Sequence, residues 1–185
     1  MPTMPTITDD YAPISPSVPA DDIAQTTQAV RQQTDGLGLR VGNKAEFTLI
    51  APVVPGGAEI FKERVVKGQI EAAYWEGKLG TVHDVRVCLI NNNTQILFAA
   101  TYSDEFKPYV VDVIKFAAPW IDYMFTGVGE GYPGLTSPDA MPYLQKYTVQ
   151  ASLWFASNAD ATVRDIARGQ NVLKAFGELL DAAQG

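Results

Sequence analysis

His83 is the only histidine in the chain, so proton transfer by an imidazole falls to this one residue. An ordinary pKa of about 6.5 suits it to act as a base or proton shuttle at neutral pH. Arg86 stands three residues on. Its planar guanidinium is built to fix a carboxylate or an oxyanion, and Asp84 is its nearest ion-pair partner in sequence. Tyr102 ends a later apolar run and offers a phenol that can orient a ligand. The candidate catalytic set is therefore His83, Arg86 and Tyr102. The candidate ligand contacts are Asp84, Phe98, Asp104, Trp120 and Trp154.

Each of these residues also has a plainer reading. A histidine at the edge of a core holds a loop or helix end through a hydrogen-bonded ring. Arg86 and Asp84 two residues apart on a strand form an ion pair facing solvent or a dimer seam. Aromatic side chains such as Phe98, Trp120, Trp154 and Phe155 fill cores more often than they line ligand boxes. In strict strand alternation His83, Val85, Val87 and Leu89 share one face, while Val82, Asp84, Arg86, Cys88 and Ile90 share the other. His83 and Arg86 then point opposite ways unless a bulge intervenes.

The formal net charge is −7 and the basic residues are scattered. Nucleic acid and anionic membrane surfaces need clustered positive charge, so neither is an expected partner. No apolar run approaches the roughly 20 residues of a membrane helix. The N-terminus has no basic start and no apolar h-region, which makes the cytoplasm the expected location. A single Cys88 forms no intrachain disulfide and reads as a buried, inert thiol. With one His and one Cys, a zinc site of several His or Cys ligands is excluded within one chain. Gly36-Leu37-Gly38 lacks the third glycine and the preceding strand of a dinucleotide fingerprint.

The elements that must position these residues follow from punctuation and periodicity. Residues 1–20 hold five of the twelve prolines and read as a mobile tail. Asp21–Gln33 reads as a short helix and the glycines at 36, 38 and 42 as a loop, so residues 1–44 form a flexible N-terminal stretch ahead of a domain over 45–185. In that domain Glu46–Val53 predicts a strand, Ala58–Glu76 a helix capped at Gly77, Thr81–Ile90 and Gln95–Tyr102 a hairpin joined by Asn91-Asn92-Asn93. A helix from about Glu105 to Phe125, N-capped by Ser103-Asp104, must kink or break at Pro119. A Gly- and Pro-rich loop follows, then a short helix near residues 138–145. Tyr147–Ala156 predicts the last strand. Thr162 and Asp165 make a near capping box for a final helix, Val163–Ala183, with an apolar face of Val163, Ile166, Leu173, Phe176 and Leu180. The fold class is α+β: a ferredoxin-like βαββαβ sheet with an extra C-terminal helix.

The order of elements resembles the dimeric α+β barrel superfamily. Gly80-Thr81-Val82-His83-Asp84-Val85-Arg86 is similar to a segment that opens the second strand in uncharacterised members. The stretch Phe98-Ala99-Ala100-Thr101-Tyr102-Ser103-Asp104 is similar to their aromatic-acidic third-strand end, and Gly131-Tyr132-Pro133-Gly134 to one of their loops. The resemblance spans about Ala45 to Ala183. The wider superfamily includes antibiotic-biosynthesis monooxygenases, polyketide cyclases, chlorite dismutases and dye-decolourising peroxidases, which share a scaffold rather than one chemistry. It implies a homodimer and a small, largely apolar organic ligand held between sheet and helices. The chemistry expected is proton transfer or cofactor-free oxidation. No cofactor is expected; in the haem-dependent variant His83 is the iron ligand, although the Gly-x-x-Asp-Gly pattern of the peroxidases is absent. The reading from a different class is a non-catalytic ligand-binding or assembly module. The dimer seam is expected on the second sheet face, since strand residues on both faces are apolar.

Overall fold

The computed structural model describes residues 30–33 and 36–184; the tail expected over residues 1–20 and most of the short helix expected over Asp21–Gln33 lie outside them. The fold is α+β, an open antiparallel sheet of six strands with five helices among the described residues. In chain order the strands are β1 (Arg31–Gln32), β2 (Leu39–Val41), β3 (Lys44–Pro52), β4 (Val82–Ile90), β5 (Gln95–Ser103) and β6 (Thr148–Val149). The helices are α1 (Gly57–Leu79), α2 (Phe106–Phe116), α3 (Ala118–Phe125), α4 (Ala140–Tyr147) and α5 (Val163–Gln184).

β3 is the pivot of the sheet. One side pairs with β5 along its whole length, from Lys44 opposite Ser103 to Pro52 opposite Gln95. β5 pairs in turn with β4, the free edge. The other side of β3 is shared: β2 takes its start, with Arg40 opposite Ala45, and β6 takes its middle, with Val149 opposite Thr48. The hairpin between β4 and β5 turns on Asn91, Asn92 and Asn93, all at positive φ, a region asparagine tolerates better than most residues.

Shared occupancy corrects the last strand. Tyr147–Ala156 reads as ten strand residues, but only Thr148 and Val149 pair. Continuing the antiparallel register would bring Ser152 opposite Ala45, where β2 already sits. The chain leaves the sheet instead, and Leu153 and Phe155 stand exposed. The glycine-rich stretch expected as loop supplies β2, whose three residues are all buried. Gly38 makes this possible: its φ is +81°, and a Cβ there would run into the Glu46 carbonyl. The sheet thus begins upstream of Ala45, and Arg31–Gln32, expected in a helix, is a strand.

Four of the helices, α1 to α4, pack on one face of the sheet. Phe47, Leu49, Ala100 and Tyr102 meet Phe106, Tyr109 and Val113 of α2 and Leu144 of α4. Ala51 and Ile96 meet Phe61 of α1 and Met124 and Phe125 of α3. The helix expected from about Glu105 to Phe125, with a kink or break at Pro119, is broken into two at Ala117, with Pro119 in the first turn of α3 where its missing N–H costs nothing. The outer face of the sheet carries Asp84, Arg86 and Cys88, all exposed. Cys88 is therefore not the buried thiol its apolar neighbours suggested. The strand is a half-solvated edge, and Cys88 falls on its solvent side.

Candidate functional site

A groove of about 330 Å³ runs between α1 and the free edge strand β4. Its walls are Val65, Ala72 and Ala73 of α1 against Val82, Val85 and Val87 of β4, closed at one end by Trp120 and Met124 of α3. Gly68 sets its shape. A Cβ there would stand 2.6 Å from Met124 Sδ, so the missing side chain lets α1 close on α3. Trp120 Nε1 seals that contact by donating to the Gly68 carbonyl at 3.0 Å. Farther along α1 the small side chains Ala72 and Ala73 face β4 and leave the space open.

His83 enters this groove through a bulge. Val82 pairs with Tyr102 but Asp84 with Thr101, so His83 is the extra residue of β4. The bulge also moves Val82 to the helix-covered side, where it is buried, whereas plain alternation had placed it with Asp84 and Arg86. His83 is half-buried, and its Nε2 lies 2.9 Å from Ser103 Oγ. The same hydroxyl accepts the backbone N–H of Val163 at 3.1 Å. Ser103, expected to cap the helix after it, instead ends β5 and caps the first turn of α5, sixty residues on. The helix α2 begins after Glu105, with no side-chain cap. Burial pulls the His83 pKa below its usual value; Lys44 pushes the same way and Asp84 opposes it. At neutral pH the ring is neutral.

The remaining expected site residues separate into distinct places. Asp84 lines the mouth of the groove and pairs with Arg86 at 3.3 Å. Arg86 itself projects into solvent on the outer face, its side chain 70% exposed. Trp120 is in the groove wall. Tyr102 is fully buried on the helix side, stacked on Tyr109 at 4.0 Å between ring centroids. Its hydroxyl exchanges hydrogen bonds with the Gln33 side chain, at 2.8 Å and 3.1 Å, and burial raises its pKa. Phe98 lines a separate cavity of about 70 Å³ between the sheet and α2, α3 and α4. Asp104 is exposed at positive φ and is engaged through its backbone: its N–H donates to the Asn43 carbonyl at 2.9 Å, and its own carbonyl accepts from Arg40 Nη1 at 2.8 Å. Trp154 is half-buried in the segment between β6 and α5. The structure brings together His83, Asp84 and Trp120; it does not bring Arg86, Tyr102, Phe98, Asp104 or Trp154 to them.

Three residues escaped sequence reasoning. Ser103 reads in the sequence as a cap for the helix after it, and its actual partners gave no signal because they are twenty and sixty residues away. Asp122 orders the Gly131-Tyr132-Pro133-Gly134 loop: its Oδ1 accepts the Tyr132 hydroxyl at 2.6 Å and the Leu135 amide at 2.9 Å. Thr81 Oγ1, one step before β4, is buried with no hydrogen-bond partner among the described residues.

Among the described residues no group of three or more His, Cys, Asp or Glu is placed to hold a metal ion, and no helix is long and apolar enough to cross a membrane. Compared with protein families, curated proteins and solved structures, the chain matches none.

Proposed function

We propose that this protein binds a small, largely apolar, uncharged organic molecule in the groove between α1 and β4, and that His83 exchanges a proton with it. The observation that carries this reading is the convergence of a neutral imidazole with Val65, Val85, Val87 and Trp120 on one cavity. An apolar recess of this volume with a few polar groups and a shifted titratable residue is the usual form of a small-molecule site. When His83 Nε2–H donates to Ser103 Oγ, Nδ1 carries the lone pair and serves as the base. Abstraction of a proton beside a carbonyl then breaks the C–H bond, places the proton on Nδ1 and leaves the electron pair on the enolate oxygen. Return of the proton to the same carbon gives exchange alone; in a β,γ-unsaturated ketone its return to the γ-carbon of the dienolate shifts the double bond into conjugation, an isomerisation with no added reagent. Gln69, which also lines the groove, is the neutral donor there for such an oxygen.

The strand sequence β6-β3-β5-β4, read across the sheet, supports the ferredoxin-like arrangement of the dimeric α+β barrel resemblance. Haem does not fit the groove. Glu76 and Asp84 are the acidic groups that line it and would repel propionates, and the Nε2 of His83 is committed to Ser103. A binding module without turnover keeps the same pocket and omits the proton step.

Tryptophan fluorescence tests the reading. Neutral ketones and phenols titrated into the protein are expected to quench Trp120. The quenching should vanish in Trp120→Phe, and Ala72→Trp, which fills the groove, should block binding. Exchange of the α-hydrogens of a bound ketone with deuterium should occur in the native protein and stop in His83→Gln. Binding without exchange selects the module; binding that survives Ala72→Trp overturns the groove.

A further inference from the structure

Across β3, β4 and β5 the outer sheet face exposes no large apolar residue: Ile50, Ile90 and Leu97 are all half-buried. The exposed apolar surface lies elsewhere, and six large residues of it are on α5: Ile166, Val172, Leu173, Phe176, Leu179 and Leu180. This helix has 22 residues, about 33 Å at 1.5 Å per residue, and from Arg164 onward it stands almost wholly in solvent. An apolar stripe of this length on one helix is expected to be covered.

We propose that α5 pairs antiparallel with α5 of a second copy of this chain. The spacing is that of a helix seam. Ile166, Leu173 and Leu180 fall at one heptad position, and Gly169, Phe176 and Ala183 at the other, with Val172 and Leu179 widening the stripe on one side. In an antiparallel pair, residues of the first kind face residues of the second. The layers are then Ile166 with Ala183 of the second copy, Gly169 with Leu180, and Leu173 with Phe176, followed by the same layers in reverse. Large side chains meet small ones toward both ends, so each layer fills without overpacking. Gly169 and Gly177 both have open space where a Cβ would stand. Glycine weakens an isolated helix; here Gly169 makes room for the incoming Leu180.

Charge selects the direction. The first half of α5 carries Arg164, Arg168 and Asp165, and the second half Glu178, Asp181 and Lys174. Each half therefore has one excess charge, positive first and negative last. Antiparallel pairing sets the positive half of one helix beside the negative half of the other and opposes the two helix dipoles favourably. Parallel pairing would set like beside like. The helix leaves the domain at Ser103, so the two domains sit at opposite ends of the helix pair and do not collide.

Sedimentation and light scattering of the full chain are expected to show a concentration-dependent dimer in the micromolar range. Leu173→Lys combined with Phe176→Lys should weaken it by about tenfold or more, with melting of the domain unchanged because both side chains are exposed. In a Cys88→Ser background, an equal mixture of Ile166→Cys and Ala183→Cys proteins should give the mixed disulfide on oxidation. A monomer throughout the range overturns the proposal. So does a dimer that survives the double lysine variant, whether it forms through the sheet face or the Val66–Ile70–Tyr74 ridge of α1. Homodisulfides of Ile166→Cys, or no mixed product, overturn the antiparallel register.

Discussion

His83 Nε2 and Ser103 Oγ lie 2.9 Å apart across the β4–β5 pair, and the serine hydroxyl is also the cap of α5. The candidate site and the base of the exposed C-terminal helix are thus one hydrogen-bond network. Removing the shared hydroxyl affects both ends. Ser103→Ala should cost about 1 kcal/mol of stability, as loss of a helix cap does. It should also free the His83 ring, which is read as a changed imidazole chemical shift. An unchanged His83 resonance would show that the contact does not hold the ring.

The depressed pKa of His83 sets the sign of a pH effect. The unfolded chain takes up the proton near the ordinary value of about 6.5, before the folded protein does. The contribution of the neutral, buried ring is therefore complete above that pH. It declines as pH falls toward and through the lower folded value. Thermal melts from about pH 8 to about pH 5 should show a larger loss in the native protein than in His83→Gln. Asp165, held below its usual pKa by Thr162, adds an acid-side loss of the same sign to both proteins, so the comparison isolates His83.

Arg86→Ala should change stability by no more than about 0.5 kcal/mol and leave ligand binding at the groove intact. Its partner Asp84 is itself half exposed, and exposed ion pairs contribute little. Tyr102→Phe should behave differently. It deletes a hydroxyl buried against Gln33 and is expected to cost about 1–3 kcal/mol, again without affecting the groove. Calorimetry with a groove ligand separates the two effects. A large binding loss in Arg86→Ala would restore that residue to the site.

Thr81 Oγ1 is buried without a partner among the described residues, so Thr81→Val should preserve or raise the melting temperature. A buried hydroxyl that makes no bond is destabilising, and valine keeps its shape. A drop of more than a few degrees would mean that the hydroxyl is bonded in solution, by water or by an occupant of the neighbouring groove.

Local pattern made much of this fold legible. The three asparagines announced the hairpin between β4 and β5, and Pro119 announced the division of α2 from α3. The Thr162–Asp165 pair announced the start of α5: Thr162 Oγ1 donates to Asp165 Oδ2 and accepts the Asp165 amide. Alternation along β4 separated His83 from Arg86, and that separation holds because the bulge at His83 leaves Asp84, Arg86 and Cys88 in step on the outer face.

What the sequence by itself determined was therefore where most helices and strands begin and end and which way a strand residue points, since both depend on neighbours within a few positions. Tertiary structure alone decided the rest. β6 is two residues long because β2 competes for the same edge of β3, a contest between segments about a hundred residues apart. Cys88 is exposed because β4 is an edge whose outer face is not covered by the helices. Ser103 meets His83 and Val163 only once β4, β5 and α5 converge. Tyr102, Phe98 and Trp120, three aromatics of similar character in the chain, part company for the same reason. One is sealed under α2, one lines a second cavity and one walls the groove, according to the helix that packs against each. Hydrophobic periodicity reports that a residue will be covered, but the identity of the covering element depends on contacts between distant parts of the chain.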